Sequence, residues 1–273
     1  MELRGAYGYE NLQADVRRLA MRHRFVRTGS AGRSVMGRQL PLIRIGIGPK
    51  RVHYNGAFHA HEWITAPLLV RFAQAYAAAL QQGDERARRL FEATSLYLVP
   101  MVNPDGVELV INGTDPGGPE HQAVAQANGG ADWEEERRKG PRAPAPRGYA
   151  GPSPLSEPEA AAMAELTREQ DFGLVIAFHS QGEVIYWGYG GHEPPEAERI
   201  VGRFAAASGY QPVRYAGSGA GYKDWFIQEF GRPGFTVEVG RGVNPLPVSQ
   251  FEKIWRANEP VMWEGLQVLA EEV

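Results

Sequence analysis

The sequence predicts an α/β fold: a mixed, largely parallel twisted sheet with helices on both faces. Segments of helical spacing alternate along the chain with short apolar runs, the pattern of a sheet covered by its own connections. Gly173 to Phe178 and Gly234 to Val239 are nearly uninterrupted apolar runs, as expected of strands buried on both faces. The 273 residues are 43% apolar, enough for one substantial core, and neither a repeat nor a linker divides them. A single domain spanning residues 1–273 is therefore expected.

The elements follow in order. Tyr9 to His23 carries Leu12, Val16, Leu19 and Ala20 at helical spacing. Phe25 to Ile47 reads as two strands joined through Gly32 to Arg38, and Arg51 to Phe58 as a third. An Ala-rich helix from Ile64 to Gln82 has Pro67 in its first turn, where a missing N–H costs little. Arg86 to Arg89 reads as a solvated helix face. Thr94 to Met101 is the next strand, ending at Asn103-Pro104-Asp105-Gly106, a strong turn signal. Gly113 to Pro158 is rich in Gly, Pro and Ala and reads as a surface excursion. Ser156-Glu157-Pro158-Glu159 has the spacing of a capping box opening a helix through Thr167. The segment Glu183 to Gly188 continues from the strand ending near Phe178, with aromatic residues suited to packing.

Bulk properties exclude several function classes. A formal net charge of −3 leaves no electrostatic footprint for nucleic acid or an anionic membrane. The absence of Cys rules out disulfides, thiolate ligands and a Cys nucleophile. Met1 to Gly8 has neither the basic nor the apolar region of a secretory signal, and no apolar run approaches the ~18 residues of a membrane span. A cytoplasmic location is expected, with no partner chain implied.

The chemistry concentrates in four residues. His59 and Glu62 stand three apart where a strand runs into a helix, a spacing that lets an imidazole and a carboxylate grip one zinc ion. That pair alone is a weak signal. His179 follows the apolar run Gly173 to Phe178 and offers a third nitrogen. Glu238 interrupts a strand-like stretch, where a carboxylate needs a partner or a chemical role. In open α/β sheets ligands gather at the carboxyl ends of strands, which is where His59 and His179 fall, with Glu238 toward the end of its own run.

Further motifs stand in the same order as in a known family: Ser34-x-x-Gly37-Arg38, His59-x-x-Glu62-Trp63, Asn103-Pro104-Asp105-Gly106, His179-Ser180-Gln181-Gly182, Tyr222-Lys223-Asp224-Trp225 and Phe235-Thr236-Val237-Glu238. On these residues the chain resembles the zinc carboxypeptidases of the funnelin type, and among them most the bacterial γ-D-glutamyl-meso-diaminopimelate peptidases that cut peptidoglycan stem peptides. The resemblance implies one zinc ion held by His59, Glu62 and His179, and Glu238 as general base for hydrolysis by a metal-activated water. It implies a substrate pocket lined by Lys223, whose ammonium suits a side chain ending in a carboxylate, and a mobile Tyr215 closing over the substrate. Asp105 is expected to fix its loop, while His61 points away and Ser180 is not needed as a nucleophile. The substrate expected is a murein peptide. Another metallocarboxypeptidase, a zinc deacylase and a catalytically silenced zinc-binding scaffold are the competing readings.

One departure bears on activity. Where the family carries an Arg-bearing block that stabilises the oxyanion and holds a substrate carboxylate, this chain has Ala123 to Ala131 with no Arg. Loss of one oxyanion donor commonly costs ~2.7–4 kcal/mol of transition-state stabilisation. Arg138, Arg142 or Arg147 could fold back toward the site in its place, although loop arginines are usually solvated.

Overall fold

A computed structural model describes residues 3–113, 138, 151–214 and 221–271. Its frame is one eight-stranded sheet in the order β1-β2-β4-β3-β5-β8-β6-β7. The strands are β1 (Arg27–Arg33), β2 (Gln39–Gly46), β3 (Lys50–Gly56), β4 (Thr94–Val99), β5 (Leu174–His179), β6 (Val184–Trp187), β7 (Gln211–Arg214) and β8 (Gly234–Glu238). Four of the seven pairings are parallel, and these include both neighbours of β3 and of β5 at the centre. The expected sheet is thus the observed one.

Helices α1 (Tyr9–Arg22), α2 (Thr65–Gln81), α3 (Glu85–Ala93), α4 (Pro104–Asn112), α5 (Pro158–Gln170), α6 (Glu196–Ser208), α7 (Tyr222–Phe230) and α8 (Phe251–Glu271) surround it. Alternate residues of each strand point to opposite faces. Leu174, Ile176 and Phe178 of β5, with Phe235 and Val237 of β8, belong to the large core that includes Phe72 of α2, Phe204 of α6 and Leu266 of α8. On the other face Tyr97, Val99 and Val175 pack with Met163 and Leu166 of α5 and Phe226 of α7. Helices cover both faces, as the alternation of elements requires. Among the described residues no helix is long and apolar enough to cross a membrane.

Two local expectations are corrected. Asn103-Pro104-Asp105-Gly106 opens α4 rather than a bare turn: the Asn103 side chain accepts from Gly106 N at 2.8 Å, and Pro104 occupies the first helical position. Proline is favoured there because that N–H has no partner within the helix. The capping box at Ser156 does not form. Helix α5 starts at Pro158 with Glu157 as N-cap, Ser156 Oγ turns to Glu157 Oε1, and Glu159 accepts from Val35 N instead of reaching back. Helices α6 and α8 and strand β7 had no assignment from sequence.

Candidate metal centre

The site grows out of the end of β3. Ala57 has φ 50°, a left-handed conformation costly for any residue with a side chain, and its surroundings hold it there. Its N–H donates to Thr65 Oγ1 at 2.7 Å, and its carbonyl accepts from Asn103 N at 3.0 Å. Thr65 Oγ1 in turn donates to the Glu62 carbonyl at 2.9 Å. Between them Ala60–Glu62 forms one turn of 3₁₀ helix. In that geometry residues three apart eclipse, so His59 and Glu62 project to the same side.

Beside this turn, β3 pairs with β5 and β5 with β8, both in parallel. The β5–β8 register sets His179 directly opposite Glu238. Since Phe178 and Val237 enter the large core, the alternation sends His179 and Glu238 to the other face together. Phe58 stacks on the His179 ring at 5.7 Å between centroids and 11° between planes, fixing its orientation.

Three side chains converge. His59 Nδ1 lies 2.9 Å from Glu62 Oε1, His179 Nδ1 lies 2.9 Å from Glu62 Oε2, and the two Nδ1 atoms are 3.3 Å apart. Ligands of a tetrahedral zinc ion at 2.0–2.2 Å stand about 3.3–3.5 Å from one another. The trio therefore fits zinc to within a few tenths of an ångström, and two neutral imidazoles with one carboxylate are a donor set zinc accepts. His61 is exposed and is not part of the group.

The electrostatics suit a cation. Burial opposes charge on Glu62, but His179 and His59 more than offset it and hold the carboxyl down at about 2. Burial lowers His179, and Glu62 together with Glu238 outweighs that and raises it. Glu238 is raised to about 7, chiefly by burial, with His179 pulling it down and Glu62 pushing it up. A carboxylate of that affinity can take a proton and return it near neutral pH.

Partly open side chains continue along β6 and β8. Val184, Tyr186, Thr236 and Glu238 share the face carrying His179, and although β8 and β6 are interior strands of the sheet, none of the four is fully buried. Together they form a row of partly open side chains leading away from Glu238. At its far end Lys223 is 3% exposed, contacts the Asp224 carboxylate and donates to the Gly188 carbonyl at 2.8 Å. Lys223 is thus a buried, ion-paired residue rather than a pendant cation.

This donor set, fold and motif order agree with the comparisons. Residues 12–260 match the family of zinc carboxypeptidases, Peptidase_M14. The chain belongs to the zinc carboxypeptidase family. The enzyme is 44% identical over 289 residues to γ-D-glutamyl-L-diamino acid endopeptidase 1 of Lysinibacillus sphaericus, covering 95% of this chain and 72% of that one. It is 39% identical over 271 residues to protein YqgT of Bacillus subtilis strain 168, covering 89% and 72%. Among solved structures it resembles thrombin-activatable fibrinolysis inhibitor, with a TM-score of 0.77 at 16% identity over 97% of this chain and 75% of that one. It also resembles carboxypeptidase A of Helicoverpa armigera, with a TM-score of 0.76 at 20% identity over 98% and 74%. It is a zinc-dependent metallopeptidase.

The remaining sequence expectations divide. Asp105 fixes its loop as expected, accepting from Met36 N at 2.8 Å and Arg38 Nη1 at 2.6 Å, which ties the Ser34 to Arg38 segment to α4. Ser180 Oγ donates to Asn244 Oδ1 at 2.7 Å, a structural engagement. Arg138 is exposed. Tyr215, Arg142, Arg147 and the segment Ala123 to Ala131 lie outside the described residues. Thr65 and Asn103, which brace the ligand turn, were not singled out for that role. An Asn before a Pro at a helix start, and a Thr three residues beyond Glu62, are the signals that point to them.

Proposed function

We propose that the enzyme hydrolyses the γ-D-glutamyl–meso-diaminopimelate bond of peptidoglycan stem peptides. In this reading His59, Glu62 and His179 hold one zinc ion and Glu238 is the general base. Lys223 forms the floor of the substrate pocket and Tyr215 closes over the substrate. The observation that supports the chemistry best is the β5–β8 register, which sets Glu238 opposite His179 and on its face. The substrate class follows from the 44% identity to an endopeptidase of γ-D-glutamyl-L-diamino acid peptides.

Bound in this site, zinc supplies Lewis acidity to the scissile carbonyl and lowers the pKa of water toward ~7. The chain does the rest. Glu238 takes the proton of the attacking water and passes it to the leaving amine. Its partly open position lets substrate and water reach it, and a nearby dication favours its ionised, proton-accepting form. Glu62 and the stacked Phe58 hold His179 in one orientation. The partly open row of Val184, Tyr186 and Thr236 receives the leaving amino acid. We take residues 1–273 as one catalytic unit acting in the cytoplasm on a peptide, without a partner chain.

The test is turnover of L-Ala-γ-D-Glu-meso-diaminopimelate by zinc-loaded protein beside Glu238→Gln. Release of diaminopimelate by the parent, reduced about 10²–10⁴-fold in the variant, supports the reading. No release by a parent carrying one zinc per chain overturns it in favour of another substrate or a silenced scaffold.

A further inference from the structure

Half of the buried polar atoms left without a hydrogen bond sit together on one strand. Among the described residues six such side-chain atoms have no partner, and three belong to β3: His53 Nε2, Asn55 Oδ1 and Asn55 Nδ2. Both side chains are 0% exposed. Such groups are rare in folded proteins, because each gives up a hydrogen bond to water that the unfolded chain keeps. Three of them on neighbouring positions would weigh heavily on a fold whose net stability is small.

The sheet explains why no side chain answers them. Tyr54 enters the large core, so His53 and Asn55 point to the opposite face, the one that carries His179 and Glu238. His53 lies between Tyr97 and Val175 in the register, and Asn55 between Val99 and Ala177. The valines and the alanine bring neither donor nor acceptor in their side chains. Tyr222, which meets the His53 ring at 5.9 Å, has its hydroxyl engaged with Thr167 Oγ1 at 2.6 Å. At roughly 3.3 Å per residue His53 and Asn55 stand about 7 Å apart along the strand, too far for a direct hydrogen bond and about the span bridged by one or two waters.

The chemistry of the three atoms selects what fits between them. A carbonyl only accepts, so the contact of His53 Nδ1 with the Tyr97 carbonyl at 3.1 Å places the imidazole proton on Nδ1. Burial keeps the ring neutral, which leaves Nε2 as an acceptor. Asn55 adds an acceptor at Oδ1 and two protons at Nδ2. A metal cation cannot take the Nδ2 protons, and an aprotic anion cannot supply a proton to Nε2 or Oδ1. Water does both. We propose that His53 and Asn55 hold an internal water site of one or two molecules beneath the metal centre. Ala177, directly opposite Asn55, presents only a methyl group and leaves room beside it. His179 follows two residues later on the same face, so the site lies about 7 Å below that ligand. The floor under the metal centre is in this way hydrated from within, whatever the substrate.

The experiment is a high-resolution crystal structure of the zinc-loaded parent, joined to thermal unfolding of zinc-loaded parent, Asn55→Leu, His53→Phe and the double variant. Water density is expected within about 2.6–3.2 Å of both His53 Nε2 and the Asn55 amide. Asn55→Leu should melt below the parent, because Nε2 is left without a donor. Adding His53→Phe removes that acceptor and should recover part of the loss, whereas crowding by the leucine alone would not be relieved by a larger ring. A parent structure that is dry between these groups overturns the assignment, even where a variant does not fold. Asn55→Leu melting at or above the parent temperature overturns it too, as does a double variant in which the two losses simply add.

Discussion

The two faces of strands β5 and β8 are built from alternate residues of the same two short strands, yet they differ in kind. On one face Phe178, Phe235 and Val237 are fully buried beneath α2, α6 and α8. On the other, His179, Thr236 and Glu238 stay partly open. Covering one face completely lets the opposite face be left uncovered at the strand ends, with polar groups that would destabilise a sealed core. Stability and chemistry are thereby separated by a single peptide unit rather than by distance.

That separation is most directly broken from the open side. His59→Ala and His179→Ala are each expected to abolish stoichiometric zinc binding, read by metal analysis of dialysed protein, while circular dichroism remains that of the folded parent. Tight one-to-one zinc in either variant would show that the trio is not the site. From the sealed side, Phe178→Ala removes a ring that is 0% exposed and packs edge-on to Tyr54 at 6.1 Å. It should cost about 3–5 kcal/mol in denaturant unfolding and leave the ligand atoms in place. A folded Phe178→Ala protein that also lost zinc would mean that the faces are coupled rather than separate.

A smaller effect sharpens the comparison by pH. His53 lies on the same face as the metal site but deep under α5 and α7, stacked on Phe172 at 4.7 Å, and burial lowers its pKa to about 3 despite a hydrogen bond to the Tyr97 carbonyl. The native state keeps this imidazole neutral while the unfolded chain binds a proton below about 6.5, so its contribution falls as pH drops through the window from about 6.5 to about 3. Acidification from pH 6.5 to 5 should cost roughly 2 kcal/mol through this residue. The slope should flatten in His53→Phe. An equal slope in that variant would assign the acid sensitivity elsewhere.

The sealed face was the legible one. Gly173 to Phe178 and Gly234 to Val239 read as buried strands because burial on both sides leaves an apolar run, while α1 announces itself by spacing and α2 by its Ala-rich body with Pro67 in the first turn. The ligand trio was legible only because its members stand at strand ends in a known order. What sequence could not deliver were contacts between distant segments. Nothing near Lys223 signals that the Gly188 carbonyl will meet its ammonium, so a buried, ion-paired lysine reads as a free cation. The capping box at Ser156 failed for the same reason, since Val35, more than a hundred residues earlier, engages the Glu159 side chain.

The parallel register between β5 and β8 also acts as a ruler. Because His179 and Glu238 are cross-strand partners, the spacing between them is set by sheet hydrogen bonds and not by any loop. Slipping β8 by one residue would turn Glu238 into the apolar core and bring Val237 or Val239 to the metal, an all-or-none exchange. Surrounding side chains can therefore change over many small steps while the His179–Glu238 distance stays locked to the backbone.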